Sequence, residues 1–242
     1  MFATTLPADL WHGLVACPLF WPGVTLAAYA AGCTVQARLR GTAFANPVLI
    51  AILLVGGLLK ATGTSYADYF AGALPIHLLL GPATVALAVP LVAALPLLRR
   101  SLSGVVLALV AGAILSAVSG LLLVKVLGGS SSLALSMAPK AVTTPIAMAL
   151  AQDLGGLPSV TAALAIAGGI LVAVASRPIL ALCRVRDWRA HGLAAGTAGS
   201  GIGAAHAIRL HETAGAFAGL AIGLNGLVTA VLVGPIARLC GF

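Results

Sequence analysis

Acidic residues are what this sequence has least of: five Asp and Glu in 242 positions, with all charged residues making up 7%. A soluble domain carries about 25% charged residues, so a water-facing globular surface is excluded. The near absence of carboxylates inside apolar stretches also excludes a cation exchanger built on paired aspartates. Four cysteines, Cys17, Cys33, Cys183 and Cys240, show no paired CxxC spacing, so neither a disulfide nor a metal site is expected. No nucleophile–base pairing, phosphate-cradling glycine loop or metal-ligand spacing is present. An enzyme is therefore not expected, and no catalytic residue is assigned. The N-terminus lacks the basic start and small-residue cleavage site of a signal peptide, so the first span is expected to stay in the mature protein.

What is present is apolar: 61% hydrophobic residues and a mean hydropathy of +1.13. The reading is an all-α polytopic membrane protein, one domain over residues 1–242. At roughly 20 apolar residues per span, it has room for about 7–8 transmembrane segments, some interrupted or re-entrant. The formal charge of +8 does not indicate nucleic acid. Its basic residues fall mostly in short loops, where they set orientation.

Spans are expected at about Leu10–Cys33, kinked by Pro18 and Pro22, then Asn46–Leu59, Ala73–Leu98, Leu102–Leu127, Leu157–Leu182 and Ala214–Leu239. Tyr66, Asp68 and Tyr69 are placed in a polar interfacial loop. Three segments are interrupted. Gly81-Pro82-Ala83-Thr84 breaks the third span, and Ser136 to Met148 carries Pro139, Lys140, Thr143, Thr144 and Pro145. Gly192 to His206 holds five glycines with Thr197 and Ser200 among them. Proline removes a backbone donor and clashes with the preceding turn. Backbone groups freed at membrane depth persist only where protein or a watery cavity satisfies them.

Parity of the basic clusters bears on topology. With Arg38 and Arg40 in the cytoplasm, Arg99 and Arg100 return there. Arg184, Arg186 and Arg189 do so only if the segment from Ser131 to Asp153 starts and ends outside, as a re-entrant hairpin. A crossing segment is the alternative. Ala111–Val118 resembles Ala167–Val174 at an offset of about 56 residues, and Pro178-Ile179 recurs as Pro235-Ile236. These matches suggest internal, inverted repeats of about 73–127, 131–184 and 192–240, although a chain this rich in Ala, Leu, Val and Gly also produces such matches by chance. Repeats with broken helices meeting near the midplane are a common transporter design.

Lys140 is the sharpest site candidate, because an ionisable side chain within the membrane marks a site by default. Backbone groups near Pro139 and the hydroxyls of Thr143 and Thr144 complete a place for a carboxylate. The plainer reading has Lys140 snorkelling to an interface. Asn46 either caps a helix before Pro47 or lines the cavity. Thr84, Thr197, Ser200 and His206 are further candidates on the interrupted segments; His206 could donate to an anion or carry a proton, although a lone histidine is more often structural. Asn225 reads as a helix bridge, Asp153 as a loop residue, and His211 and Glu212 as ordinary loop residues.

Several stretches resemble the LrgB/CidB membrane proteins, a family that includes a plastidial glycolate/glycerate translocator. They are Asn46-Pro47, Tyr66-Ala67-Asp68-Tyr69-Phe70, Leu80 to Pro90, Ala138 to Met148, Gly155-Gly156, Gly192 to Ala198 and Gly215-Ala216-Phe217. The resemblance covers about residues 46 to 240. This chain departs from the family pattern at Ala141, usually serine, at Gly199-Ser200, usually serine-histidine, and at His206, usually arginine.

The resemblance implies transport of small monocarboxylates such as glycolate, glycerate, pyruvate or acetate. Its alternative is a holin/antiholin-like role in murein hydrolase control and lysis, alongside an LrgA/CidA-type membrane partner. A non-transporting regulator that binds a partner through its glycine faces is a third reading. No cofactor is expected beyond coupling to H+ or Na+. The expected setting is the lipid bilayer of a bacterial inner membrane, as a homo-oligomer with a dimer favoured.

Overall fold

The computed structural model describes residues 17–39, 45–79 and 101–242, with isolated positions 13, 82, 85, 92 and 96. Thr84 and most of the expected third span lie outside the described residues. Every regular element described is helical. The chain divides into two compact units, residues 1–84 and 85–242.

In the first unit, α1 spans Phe20–Arg38 and α2 spans Pro47–Thr62. Pro18 precedes α1 and Pro22 sits in its first turn, where no helical hydrogen bond is lost; most of the expected span before residue 17 lies outside the described residues. α1 also runs past Cys33 to Arg38. Gly32 lets α1 lie directly on the Pro47 backbone, for a Cβ there would come within 2.6 Å of its carbonyl oxygen. The Asn46 side-chain oxygen accepts from Val48 N–H at 2.9 Å, as a helix cap does. Gly63, with φ 68°, ends α2. The chain then bends by 119° into α3, Tyr66–Gly72, whose cap is Ser65. The Tyr66–Tyr69 stretch is thus a short helix, not a loop. Tyr69 stands edge-on to the buried Trp21. α4 follows over Leu74–Leu78.

The second unit contains α5 (Leu102–Val126), α6 (Ser131–Met137), α7 (Thr144–Asp153), α8 (Pro158–Leu182), α9 (Trp188–Leu210) and α10 (Glu212–Leu239). α5 and α10 run parallel. Val105 and Leu109 pack with Phe217, Leu220 and Ala221, while Ala117, Leu121 and Val124 pack with Val233, Ile236 and Ala237. At their shared end the Lys125 ammonium donates to the Cys240 carbonyl at 2.9 Å. Asp153 is the last residue of α7, and His211 caps α10, its Nδ1 accepting from Thr213 N–H.

α5, α8 and α10 are long and apolar enough to cross a membrane, and a fourth span arises if the bent α2–α3 pair is one. The expected total of 7–8 is not reached among the described residues, which leave out most of the expected third span. Large apolar side chains such as Leu107, Leu115, Leu171 and Val231 are exposed along the long helices. Water would not tolerate so continuous an apolar surface, and this is a multi-pass integral membrane protein.

Candidate site where two helical hairpins meet

The interrupted segment around Ser136 to Met148 is a helical hairpin. α6 stops at Met137, the chain turns without helical structure over 138–143, and α7 returns. Pro139 lies in the turn, whereas Pro145 sits in the first turn of α7, where its missing N–H costs nothing. Ser136 closes the hairpin against α8. Its hydroxyl accepts from Leu157 N–H at 2.7 Å, and its carbonyl accepts from the Thr161 hydroxyl at 2.9 Å.

α9 is a second hairpin. A straight helix of its 23 residues would separate its ends by about 34 Å. Instead Trp188, at its start, stacks on His211, just past its end, with ring centroids 5.1 Å apart and planes 8° apart. The reversal is at Ser200, whose φ 48° and ψ −137° are non-helical. Glycine makes the fold-back possible. A Cβ on Gly203 would strike the Ala195 carbonyl oxygen of the outgoing half, and one on Gly196 would strike the Ala218 carbonyl oxygen of α10.

The two hairpins open at opposite ends of α8, a helix of 25 residues and about 37 Å. The first opens where α8 begins, at Leu157, and the second where it ends, before Trp188. Their tips meet at Asn225, midway along α10. The buried Asn225 amide donates to the Ala141 carbonyl of the first tip at 3.2 Å and to the Thr197 carbonyl of the second at 3.0 Å. Asn225 is therefore the bridge its sequence position suggests, but it bridges two turns and not two helices.

Lys140 lies on the first tip and reaches the middle of α5. Its ammonium donates to the Ser116 carbonyl at 2.7 Å and stands 3.3 Å from the Ser116 hydroxyl. An ammonium has three donors, so one has no partner among the described residues. Gly120 makes room for this approach, since a Cβ there would come within 2.9 Å of Lys140 Nζ. Around the tips, the side-chain oxygens of Thr143, Thr197, Ser200, Asn225 and Thr229 are buried and have no hydrogen-bond partner among the described residues. Buried polar atoms are nearly always paired. Five such atoms gather in this one apolar unit, which makes the meeting point of the tips the candidate site.

Of the sequence candidates, Pro139, Lys140, Thr143 and Thr144 share the first tip, and Thr197 and Ser200 belong to the second. His206 is not with them. It lies six residues beyond Ser200, about 9 Å along the returning half, within electrostatic reach of Arg177 and Arg209. Asn46 caps α2 in the first unit. Sequence reasoning missed Ser116, Asn225 and Thr229 as site residues. Asn225 carried a usable signal, as the one amide in the last long apolar helix.

Ser200 occupies backbone space that residues with a Cβ rarely adopt, at a cost of about 1–3 kcal/mol. Ser200→Gly is expected to raise the unfolding midpoint in detergent. A lower midpoint would show that the turn is not strained.

The LrgB-like family profile matches residues 25–239. An antiholin-like protein LrgB from Bacillus subtilis (strain 168) is 33% identical over 224 residues, covering 93% of this chain and 97% of that protein. Another, from Bacillus mycoides (strain KBAB4), is 32% identical over 216 residues, covering 89% and 94%. No solved structure matches. A match running through both hairpins and nearly the full length of each relative leaves one assignment: the chain belongs to the LrgB-like family.

Proposed function

We propose that the protein is a secondary carrier of small monocarboxylates, with the substrate carboxylate held where the hairpin tips meet. The observation that carries this reading is the junction at Asn225, with Lys140 beside it and five buried, unpartnered side-chain oxygens around it. One fixed cation with one donor to spare, and hydroxyls that can donate, match a single carboxylate. The N-terminus of α7 adds peptide N–H groups of the favourable sign.

In this reading both hairpins are re-entrant and enter from opposite faces. The arginines 177, 184, 186, 189 and 209 crowd the end where the second opens, against Lys125 and Arg238 at the other. The positive-inside rule then puts the second hairpin's mouth in the cytoplasm. The two hairpin-plus-helix units begin at Ser131 and Trp188 and end at Leu182 and Leu239, each pair 57 residues apart. A hairpin adds no crossing while the following helix adds one, so successive units are inverted, as alternating-access carriers require.

The relatives' name, antiholin-like protein, favours a second reading, an antiholin-like role in the membrane, and it speaks for that role more directly than for transport. The ordered hairpin junction speaks for a carrier. Uptake into vesicles reconstituted with the intact protein separates them. Saturable entry of one or more of glycolate, glycerate, pyruvate and acetate, with no leak of an uncharged sugar, supports the carrier. Leak of the sugar, or movement of none of the acids, overturns it and leaves the antiholin-like reading.

A further inference from the structure

At the end of the second unit where α8 stops, a cleft of about 630 Å³ is lined by Arg177, Arg184, Arg186, Trp188 and His191. It is separate from the hairpin junction, and the carrier reading uses its arginines only to orient the chain in the membrane. None of its three arginines forms an ion pair among the described residues. The acid nearest in sequence, Asp187, is already engaged. It holds Arg189 at 2.7 Å, and the hydrogen bonds from Arg189 keep its carboxyl below the usual carboxylate range. Like charges converging on one hollow repel unless an anion joins them.

The backbone singles out Arg184. α8 ends with Val185 N–H bonded to the Leu180 carbonyl and Arg184 N–H to the Ala181 carbonyl, the Schellman arrangement in which glycine usually fills the left-handed position. Here Arg184 fills it, with φ 57°. Setting orientation needs only positive charge somewhere in the loop. It does not need an arginine in an unfavourable conformation on the wall of a cleft. The wall is also braced: His191 Nε2 lies 3.0 Å from the Val185 carbonyl, and Trp188 is stacked on His211.

We propose that this cleft holds the phosphate-bearing headgroup of an anionic phospholipid. Guanidinium groups pair with phosphate oxygens in a fork geometry, and basic pockets beside membrane helices take such headgroups. A lipid fits better than a free anion because the cleft sits at the foot of a spanning helix. Ile179 and Leu182, exposed on the last turns of α8, are available to acyl chains. Trp188 has the amphipathic ring typical of headgroup depth.

The test uses the full chain in detergent, titrated with phosphatidylglycerol, phosphatidylcholine or inorganic phosphate and read by native mass spectrometry. Phosphatidylglycerol is expected to bind at least tenfold more tightly than phosphatidylcholine. Arg184→Gly combined with Arg186→Gln should abolish that preference, while the melting temperature without lipid stays level or rises, because glycine suits the left-handed turn. Equal binding of the two lipids, a preference that survives the double substitution, or inorganic phosphate displacing phosphatidylglycerol at equal concentration would each overturn the proposal.

Discussion

Lys140→Met should remove carboxylate uptake while leaving the protein folded. A hydrogen bond to a charged group contributes about 1.5–3 kcal/mol, so uptake at low substrate should fall by about 10- to 150-fold. The fold should survive for a specific reason. The Ser116 carbonyl that Lys140 engages also accepts from the Ser119 hydroxyl at 3.2 Å, so losing the ammonium does not orphan it. Methionine is flexible enough to fill the half-buried position. Uptake in vesicles and the unfolding midpoint in detergent are the paired measurements. Unchanged uptake with intact folding would remove Lys140 from the site.

The second large effect is structural. Asn225→Leu keeps the branching of the side chain, with a larger volume, but deletes the donor shared by the Ala141 and Thr197 carbonyls. Ala141 lies in a turn, and Thr197 lies three residues before the reversal at Ser200, where the next residue of the helical ladder, Gly201, falls beyond the break. Each buried carbonyl left unpaired costs about 1–3 kcal/mol, a total of about 2–6 kcal/mol against a typical stability of about 5–15 kcal/mol. Hydrogen exchange at residues 138–143 and 197–201 should accelerate together, since one side chain holds both. Unchanged protection at either tip would show that it is fastened by something else.

How far these features could be read in advance depended on what marks them. The break at Ser136 to Met148 was legible because Pro139 and Pro145 leave a chemical signature in the sequence. The one in α9 was legible only as an interruption. Five glycines say that backbones approach closely, but not that the approach is of the segment to itself, which is why Gly192–His206 could be marked as broken without being seen as folded back. Length misled in the same way: α6 with α7, or the two halves of α9, add up to about one span's worth of apolar residues, and hydropathy does not distinguish a hairpin from a crossing. His206 was grouped with Ser200 by nearness in sequence, and the helix carried it one and a half turns away. Asn46 was readable as a cap because the residue pair Asn-Pro contains its own explanation. The pairing of both tips with Asn225 was not readable, because it depends on tertiary geometry that no local pattern encodes.

That pairing also sets an order of events during synthesis. Asn225 comes 84 residues after Ala141. At about 5–20 residues per second, the first hairpin waits about 4–17 s at the membrane before its clasp exists. Its arms of seven and ten residues are too short to insert alone. The nascent protein therefore passes through a stage in which an unfastened polar turn is visible to proteases and insertion factors. A chain truncated just before Asn225 should be trapped at that stage and degraded faster than one ending at Phe242 in a pulse–chase experiment; equal lifetimes would mean that the turn is secured earlier. Biogenesis then has a late checkpoint, and the last spanning helix serves as the key that closes it.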